Sequence, residues 1–442
     1  MPGFRVIVIG AGPAGLFAAH ALTAAGIDFV VLERQPEIVR FRGALLVLFP
    51  PLLRLLDQLG LYEAMLQQST RMTTKTNFTY DGEFLCMAPL FEYIEHEFGY
   101  PVHATSRGHL LSVLYDNLPG RETKVRSNAH VVNIETAKDG VRVHLADGSV
   151  VDGSMVMAGD GVHSPARGLI QRLGHSSSAS VDSKPTSPMV AEYLSIFGST
   201  DSIREDVKLG DFAESHGHGI ASQSMRLRDR MYFTILKRLE GPPPERTRFT
   251  NEDAEAFARE MSDLTIFPGV KLKEIWPGRE QTNTVLLHQE NGVAEKWYHG
   301  RIVIFGDSAH KMTSIAGQGA LAATLSSTSI VNNLRAALQK NPMPSTEDLE
   351  ACFAKYQASR REVTAGVVQF GSWLSRFITW TGEEDEKLDR ESSKGTSLVN
   401  EAVQGVLPWF AQAPILDFIP FDGQHGNTPW EMKGKSPIRP RL

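Results

Sequence analysis

The chain opens with a short apolar run that is followed at once by glycines. Residues 6–9 are apolar and mostly β-branched, which is typical of a strand buried on both faces. Pro13 stands where a helix can begin, because its missing N–H is not needed there. Gly26 suits a left-handed helix end, and a second apolar run over 29–32 leads to Glu33. The pattern predicts a strand, a turn, a helix and a second strand.

Three glycines and one acidic residue in this segment have the spacing of a dinucleotide-binding turn. Gly10, Gly12 and Gly15 form a G-x-G-x-x-G arrangement. In that arrangement the first glycine permits a tight turn, the second lets a pyrophosphate approach the backbone, and the third lets the helix pack on the strand. Glu33 ends the second strand, where a carboxylate accepts hydrogen bonds from a ribose hydroxyl. We interpret the segment as a dinucleotide-binding unit, and the alternative is an ordinary buried βαβ unit.

Further periodic segments alternate along the rest of the chain. They predict helices at about 52–59, 108–118, 250–261, 320–338 and 346–377, a hairpin over 78–85, and strands at 124–125, 131–136, 141–145, 154–158, 231–236 and 301–305. The short strands between 124 and 145 are separated by Asp-Gly turns, so they predict an antiparallel meander inserted in the α/β unit. The serine-rich stretch 175–187 predicts a crossing to a second sheet.

Composition places the chain among globular proteins of more than one domain. Its 442 residues allow two domains, and 42% hydrophobic and 22% charged residues are ordinary values for a folded chain. A net charge of -6 gives no general attraction to phosphate backbones, which excludes nucleic acid as an expected partner. Cys86 and Cys352 are too few for a disulfide framework, so we expect them to be small core residues.

No stretch has the uninterrupted apolar length of a membrane-spanning helix. The chain begins directly with the first strand, without a basic segment, an apolar run and a cleavage site, which favours an intracellular, cytoplasmic location. The nearest apolar stretch, 398–419, contains Glu401, Asp417 and two prolines. It predicts a buried or interfacial segment, and an interfacial one would give peripheral membrane contact.

Three of the predicted strands end in a glycine that lies beside an acidic residue or in a phosphate-type turn. The turns are 10–15 after the first strand, 159–161 after the strand at 154–158, and 306–319 after the strand at 301–305. The carboxyl ends of parallel strands face one crevice, so the three turns predict a single site for a large dinucleotide. A dehydrogenase that binds only a nicotinamide dinucleotide would need the first turn alone.

The three turns together resemble the motifs of the group A flavoprotein monooxygenases, the family of para-hydroxybenzoate hydroxylase. Within it the chain looks most like the fungal epoxidases of meroterpenoid and indole-diterpene biosynthesis. The motifs are VIGAGPAGL at 8–16, GDGVHSPAR at 159–167, and GDSAHKMT at 306–313 followed by GQG at 317–319. The resemblance spans residues 4–339 and, more weakly, the tail to Trp430. It implies an α/β fold with a Rossmann-like FAD-binding domain, a parallel sheet with an inserted β-meander, a β-sheet substrate domain and C-terminal helices.

The resemblance also implies domain boundaries and roles for individual residues. A discontinuous FAD-binding domain would cover 1–75, 100–180 and 285–340, a substrate domain 76–99 and 181–284, and a C-terminal helical region and tail 341–442. Glu33 would bind the adenosine ribose, Arg107 would contact the side of the flavin, and Asp307 would hold the ribitol. Asp160 belongs to a motif linked to both FAD and NADPH, and the alternative for it and His163 is an ordinary Asp-Gly turn without ligand contact. The implied cofactor-binding residues are Gly10, Gly12, Gly15, Glu33, Arg34, Gly43, Arg107, Asp160, Asp307, Gly317, Gly319 and Ala320.

Several positions depart from the family pattern. Ser314 stands where the family usually has proline, Leu321 where it has asparagine, and Pro51 where a second asparagine is expected. The family also usually has an acidic residue in the helix near Leu325 and Ser326, and this chain has none there. The implied phosphate and ribose contacts lie elsewhere, so FAD binding is expected and the ring environment is what changes. No catalytic acid or base is assigned, and Ser314 is the candidate residue beside the ring.

The implied reaction is a monooxygenation. NADPH or NADH would reduce the flavin, O₂ would add at flavin C4a, and the distal oxygen of the hydroperoxide would pass to the substrate. The apolar tail favours a bulky hydrophobic substrate, a prenylated or polycyclic aromatic metabolite that is epoxidised or hydroxylated. The alternatives are an FAD oxidase or dehydrogenase without oxygen transfer, an aromatic-acid hydroxylase, and a flavin-binding protein without turnover. His216 and His218 lack a third ligand at suitable spacing, so no metal is expected.

Overall fold

A computed structural model of the protein describes residues 3–41, 45–174, 188–241, 243, 247–392, 405 and 407–431. Its strands are β1 (Arg5–Ile9), β2 (Asp28–Leu32), β3 (Leu45–Leu48), β4 (Thr70–Arg71), β5 (Lys75–Thr79), β6 (Phe84–Ala88), β7 (His103–Ser106), β8 (Val125–Arg126), β9 (Val131–Ala137), β10 (Gly140–Leu145), β11 (Val150–Gly153), β12 (Met155–Ala158), β13 (Val190–Thr200), β14 (Phe212–Gly217), β15 (Ile220–Arg226), β16 (Met231–Arg238), β17 (Thr265–Phe267), β18 (Val270–Lys271), β19 (Val285–Val293), β20 (Tyr298–His299), β21 (Ile302–Ile304) and β22 (His310–Lys311). Its α-helices are α1 (Pro13–Ala24), α2 (Pro50–Gln58), α3 (Tyr62–Gln67), α4 (Leu90–Phe98), α5 (Arg107–Asp116), α6 (Arg121–Lys124), α7 (Pro165–Gly174), α8 (Asn251–Glu260), α9 (Leu272–Ile275), α10 (Gly319–Lys340), α11 (Thr346–Ile378) and α12 (Glu383–Ser392).

A six-stranded sheet in the order β20-β21-β12-β1-β2-β8 forms the first layer, and the strands from β21 to β8 are parallel. The last residues of three strands lie side by side, because Ile9 pairs with Ala158 and Ala158 pairs with Ile304. Residues of β1, β12 and β21 are almost wholly buried, as their apolar runs predict. The glycine turns that follow these strands therefore lie together, which confirms the predicted convergence.

The inserted meander differs in one strand from the prediction. It consists of β9, β10 and β11, which pair antiparallel. The strand predicted at 124–125 is instead β8, which pairs in parallel with β2 at the edge of the six-stranded sheet. A two-residue strand carries no periodicity, so the sequence could not show which sheet it joins.

An eight-stranded sheet in the order β22-β19-β13-β16-β15-β14-β5-β6 forms the second layer, as the alternating segments predict. One face of this sheet packs on an apolar cluster that includes residues of α8 and β17. The other face contributes Tyr193, Ala221 and Leu236 to a cluster with Ile315 and Ile378. We call this second face, which carries Gln223 and Gln289, the inner face. The predicted domain boundary at residue 285 would give β19 to the cofactor domain, but β19 pairs with β13 inside this sheet.

Two long helices, α10 and α11, pack against each other. α10 packs against α1, where Gly306 leaves room between the β-carbons of Ala14 and Ala323. α11 begins with a capping box in which Ser345 and Asp348 satisfy each other's backbone N–H groups. The predicted last helix is followed by α12, which the sequence did not reveal because α12 is charged nearly throughout. Its buried residue is Asp389.

The described part of the tail packs on the half of the molecule that contains the six-stranded sheet, which we call the cofactor half. Trp409 and Phe410 are buried in the main core, and Phe410 lies 5.3 Å from Phe49 between ring centroids. The Gln58 amide of α2 donates to the Leu416 carbonyl at 2.8 Å and accepts from the Leu416 N–H at 2.9 Å. Among the helices of the described residues, not one combines the length and the apolar character that a membrane crossing requires.

Candidate functional site

The glycines of the first turn have two different tasks. A β-carbon on Gly10 would lie 2.6 Å from the Gly159 carbonyl oxygen, and one on Gly15 would lie 1.9 Å from the Gly10 carbonyl oxygen. Both positions therefore need glycine for backbone packing. Among the described residues, a β-carbon on Gly12 would meet only the Arg107 guanidinium, at 3.8 Å. Gly12 therefore borders open space, where a ligand can approach the backbone at the start of α1.

The Glu33 carboxylate lies beside this turn and is held in position by backbone donors. It accepts a hydrogen bond from the Ala11 N–H at 2.8 Å and another from the Gln35 N–H at 3.0 Å. Only 8% of the residue is exposed. The carboxylate is thus fixed next to the glycine turn, and its contact with a ribose stays a prediction. Arg34 is exposed, and Gly43 lies outside the described residues.

Arg107 supplies positive charge over the same turn. Ser106 caps α5 by accepting from the His109 N–H at 3.1 Å, which sets Arg107 at the first helical position. Burial lowers the pKa of Arg107, nearby Arg40 lowers it further, and Glu33 and Asp307 oppose the change. Within the described residues no carboxylate forms an ion pair with Arg107. The site thus holds two guanidinium groups, and their charge favours an anionic ligand.

Arg40 was missed by the sequence analysis. It lies in a segment without periodicity, and a single arginine there gives no signal. Its Nε atom is buried without a hydrogen-bond partner among the described residues, which is costly unless a ligand or water binds there.

Asp160 joins the second strand end to the third. Its carboxylate accepts from the Ala166 N–H at 3.1 Å, which caps α7, and from the Ser308 hydroxyl at 2.8 Å. Arg167 strengthens the junction by donating to the Ser308 carbonyl at 3.0 Å. These bonds give Asp160 a structural role, and direct contact with a cofactor stays a prediction. His163 lies 3.5 Å from Glu290 in an ion-pair geometry.

Asp307 follows the third strand end on a short 3₁₀ turn, Gly306–Ser308. Its carboxylate is 40% exposed and pairs with the Lys311 ammonium at 2.7 Å. His310 lies behind this turn with Nε2 at 2.8 Å from the Ser326 hydroxyl, and burial lowers its pKa to about 4. The Asp307 carboxylate therefore remains accessible at the carboxyl ends of the strands, while His310 is neutral and buried.

The segment Ser314–Ala316, which we call the ring loop, precedes α10. Gly317 follows it with φ +66°, a conformation that favours glycine, and the start of α10 at Gly319 has no neighbour within 4 Å of a β-carbon. Ala320 is partly buried. Backbone N–H groups at this helix start are free to face a ligand.

The structure also explains two of the residues that depart from the family pattern. Leu321 is a core residue at 0% exposure, and Pro51 lies in the first turn of α2, where proline is tolerated.

Two glutamines of the eight-stranded sheet hold the ring loop, and the sequence analysis missed both. Gln289 accepts from the Ser314 N–H at 2.9 Å and donates to the Ser314 hydroxyl at 2.6 Å. Gln223 donates to the Ile315 carbonyl at 3.0 Å. Ser314 thus offers two groups that Gln289 bonds at once, and proline at this position would offer neither. A glutamine in a strand is too common to be recognised from one sequence.

A buried charged cluster lies behind Gln223 on the inner face. Glu214 accepts from Lys75 at 2.8 Å and His216 at 3.0 Å, and His216 also bonds Asp389 at 2.6 Å. Burial alone would lower the pKa of His216, but the bonds to Asp389 and Glu214 outweigh it and raise that pKa to about 9. Burial alone would raise the pKa of Glu214, but Lys75 and His216 outweigh it and lower that pKa far below its usual range. The cluster therefore carries two cations and two anions at neutral pH.

The second histidine of the His-x-His pair points elsewhere. His218 is exposed and pairs with Glu386 at 3.0 Å. His216 lies within β14, whereas His218 lies in the turn between β14 and β15, so the pair does not converge. The described residues include no group of His, Cys, Asp and Glu side chains arranged to hold a metal ion.

Comparison with known proteins gives matches along nearly the whole chain. A family model described as FAD binding domain matches residues 4–371. The FAD-dependent monooxygenase srdH of Neurospora crassa is 33% identical over 97% of this chain and 99% of its own length. The FAD-dependent monooxygenase spyC of Aspergillus fumigatus is 34% identical over 86% of this chain and 82% of its own length.

Solved structures with the same fold include flavin complexes. Klebsiella pneumoniae HpxO complexed with FAD and uric acid has a TM-score of 0.73 at 22% identity and covers 91% of this chain and 97% of its own. CtdE in complex with FAD and its substrate has a TM-score of 0.70 at 17% identity and covers 86% of this chain and 92% of its own. At these identities the likeness concerns the fold.

Proposed function

The chain belongs to the FAD binding domain family and is an FAD-dependent monooxygenase, and we propose that it uses NADPH or NADH and O₂ to oxygenate a bulky hydrophobic secondary metabolite. The observation that carries this proposal is the convergence of three parallel strand ends, at Ile9, Ala158 and Ile304, opposite the inner face of the second sheet. The carboxyl ends of parallel strands form the crevice in which dinucleotides bind.

The residues at the strand ends fit FAD. The open space at Gly12 suits a pyrophosphate, and the unpaired Arg107 guanidinium above it would offset the phosphate charge. Glu33 would hold the adenosine ribose, and Asp307 would hold the ribitol. Bound FAD would supply the electron transfer and the oxygen chemistry, which protein side chains lack.

The protein's own contribution is position and exclusion of water. The ring loop is held by Gln289 and Gln223, so its backbone would stay in one place beside the flavin ring. Thr313, just before it, is fixed from α11 by the Ser375 hydroxyl at 3.0 Å. A rigid, enclosed site protects a reactive oxygen donor from water. Transfer of an electrophilic oxygen to an alkene or an indole needs no protein base, and we therefore favour such substrates over simple phenols.

Apolar side chains support the hydrophobic substrate. Phe197 and Tyr232 occupy positions of the inner face that register with Thr234 and Ser199, and Phe410 of the tail packs beside Phe49. The Phe49 ring in turn lies 3.5 Å from a β-carbon position at Gly317. Burial of apolar surface gains about 25 cal/mol per Å², so a large apolar metabolite can be held with few polar contacts. We propose that the tail covers the edge of the site.

The test compares cofactor content and coupled turnover. Purified protein is expected to be yellow and to release intact FAD on denaturation. NADPH consumption and oxygenated product would then be measured with prenylated indoles, farnesylated phenols and para-hydroxybenzoate-type acids, in full-length protein and in a form that ends near residue 394. We expect coupled turnover of the prenylated compounds, and weaker coupling in the truncated form. Coupled turnover of the small acids alone, unchanged by truncation, would refute the substrate class.

A further inference from the structure

The amide of Gln223, on the inner face, is fixed in a single orientation. Gln223 lies near the middle of the eight-stranded sheet, directly opposite Glu214 on one neighbouring strand and Thr234 on the other. Residues directly opposite in antiparallel strands share a face, so these three side chains lie side by side. Thr234 is in turn opposite Phe197. The hydrogen bond from Gln223 to the Ile315 carbonyl shows that this row faces the ring loop.

Both hydrogens of the Gln223 amide are used by the protein. One bonds the Glu214 carboxylate at 2.7 Å, and the other bonds the Ile315 carbonyl at 3.0 Å. An amide nitrogen has two hydrogens, so the nitrogen is saturated. A flipped amide would set its oxygen against a carboxylate and a carbonyl, which are both acceptors. The chemistry of its neighbours therefore fixes which end of Gln223 is the oxygen.

Glu214 cannot reverse this arrangement by taking up a proton. Lys75 at 2.8 Å and His216 at 3.0 Å both bond the other oxygen of its carboxylate. His216 is itself held by Asp389, and Asp389 accepts from the Trp380 indole at 2.9 Å. The carboxylate is therefore permanently charged and acts on Gln223 as an acceptor only.

The remaining polar atom of Gln223 is its carbonyl oxygen, which has no protein partner among the described residues. By contrast, both the nitrogen and the oxygen of the Gln289 amide form hydrogen bonds with Ser314. The flanking side chains of the row include the aromatic rings of Phe197 and Tyr232. Gln223 thus presents one fixed acceptor beside the ring loop, in a row that also contains Phe197.

We infer that the Gln223 carbonyl oxygen accepts a hydrogen bond from the substrate, and that the substrate is a bulky apolar molecule with a neutral N–H or O–H donor. The inference rests on the proposed function, since it concerns the substrate of that site. A site built around a buried acceptor discriminates strongly against an analogue that lacks the donor, because the acceptor is then left unpaired. An aromatic acid is disfavoured, since its carboxylate would meet the Gln223 carbonyl oxygen and the Glu214 carboxylate. The cations Lys75 and His216 are both already paired with Glu214. Gln223 is therefore a residue that orients substrate and sets specificity.

A pair of probes that differ only in the donor tests the inference. Binding of 3-prenylindole and 1-methyl-3-prenylindole to the FAD-loaded protein would be measured by calorimetry. We expect the N–H probe to bind about ten-fold tighter than the N-methyl probe. In Gln223→Leu we expect this preference to disappear. The matched control Gln339→Leu makes the same change at an exposed position of α10 and should keep the preference.

The outcomes separate this inference from the proposed function. Equal binding of both probes to the wild type, or a preference that persists in Gln223→Leu, would overturn the role of Gln223. If neither probe binds a yellow, FAD-loaded protein, the donor-bearing class is overturned while FAD binding stands. A colourless protein that FAD cannot reconstitute contradicts the proposed function itself. If Gln223→Leu fails to fold, Gln223→Met takes its place, because it keeps the unbranched shape and lacks the acceptor.

Discussion

The bonds between Gln289 and Ser314 allow a quantitative prediction for Ser314→Pro. Proline removes both the N–H and the hydroxyl that Gln289 bonds at 2.9 and 2.6 Å. The backbone itself should accept the ring, because Thr313 already has φ -59° and ψ 151°, the extended conformation required before proline. The cost therefore comes from Gln289, which is only 3% exposed and cannot turn to water.

The magnitude follows from the two unpaired ends of that amide. Each buried polar group that loses its partner costs about 1–3 kcal/mol, so we expect Ser314→Pro, which leaves two such groups, to lower the free energy of unfolding by about 2–6 kcal/mol. Ser314→Ala loses one bond and should cost about 1–2 kcal/mol. Adding Gln289→Leu to Ser314→Pro removes the unpaired groups and should restore most of the loss, since replacement of both partners by apolar groups is nearly neutral.

Urea unfolding of the wild type, the single variants and the double variant measures this coupling, and flavin fluorescence measures FAD affinity in the same proteins. The coupling energy should reach at least about 2 kcal/mol, and the double variant should recover FAD affinity together with stability. The reasoning is refuted if the two substitutions add to within about 0.5 kcal/mol, or if Ser314→Pro costs no more than Ser314→Ala.

Three other predictions concern the cofactor site and the charged cluster. Gly12→Val should abolish FAD binding, which is seen as loss of yellow absorbance. The thermal stability of the apoprotein should stay close to wild type, because among the described residues a β-carbon at Gly12 meets only the Arg107 side chain, at 3.8 Å. An equally yellow variant would contradict the pyrophosphate assignment. Asp307→Ala should weaken FAD by about 1.5–3 kcal/mol in a titration, as expected for a lost hydrogen bond to a charged group, and unchanged affinity would remove Asp307 from the site. The raised pKa of His216 should make stability depend on pH: its contribution is fully present below 6.5 and is lost as pH rises through about 9. Thermal unfolding across this range should show the decline, and the same slope in His216→Gln would exclude His216 as its source.

Much of the cofactor half could be predicted because local signals there agree with the fold. The run before Gly10, the proline at the start of α1 and the left-handed Gly26 at its end each determine one local feature, and all three features appear in the structure. The helix predicted at 250–261 also appears, as α8, and Thr250 and Asp253 form a capping box at its start. Such features depend on neighbours within a few residues, which a single sequence contains.

The polar residues that hold the ring loop could not be predicted for the opposite reason. Gln289 and Ser314 are 25 residues apart, and His216 and Asp389 are 173 apart. These pairs exist only because the topology brings distant strands and helices together. Asp389 lies on α12, a helix with no apolar stripe, so neither the helix nor its buried carboxylate produced a signal. Side chains that act through long-range pairing need the fold before they can be identified.

The bonds between Gln58 and the tail have a consequence for how the protein is made. The Gln58 amide donates to the carbonyls of Leu416 and Ile419, which follow it by 358 and 361 residues. A ribosome therefore releases α2 long before its polar partners exist, and β1 likewise waits for β12 and then β21 to pair along the sheet. Contacts so distant in sequence form slowly, because the intervening chain must first be closed into a loop. The nascent chain consequently exposes the apolar surface of β1 and α2 through most of translation. We therefore expect the flavin to bind only after α10 has been synthesised.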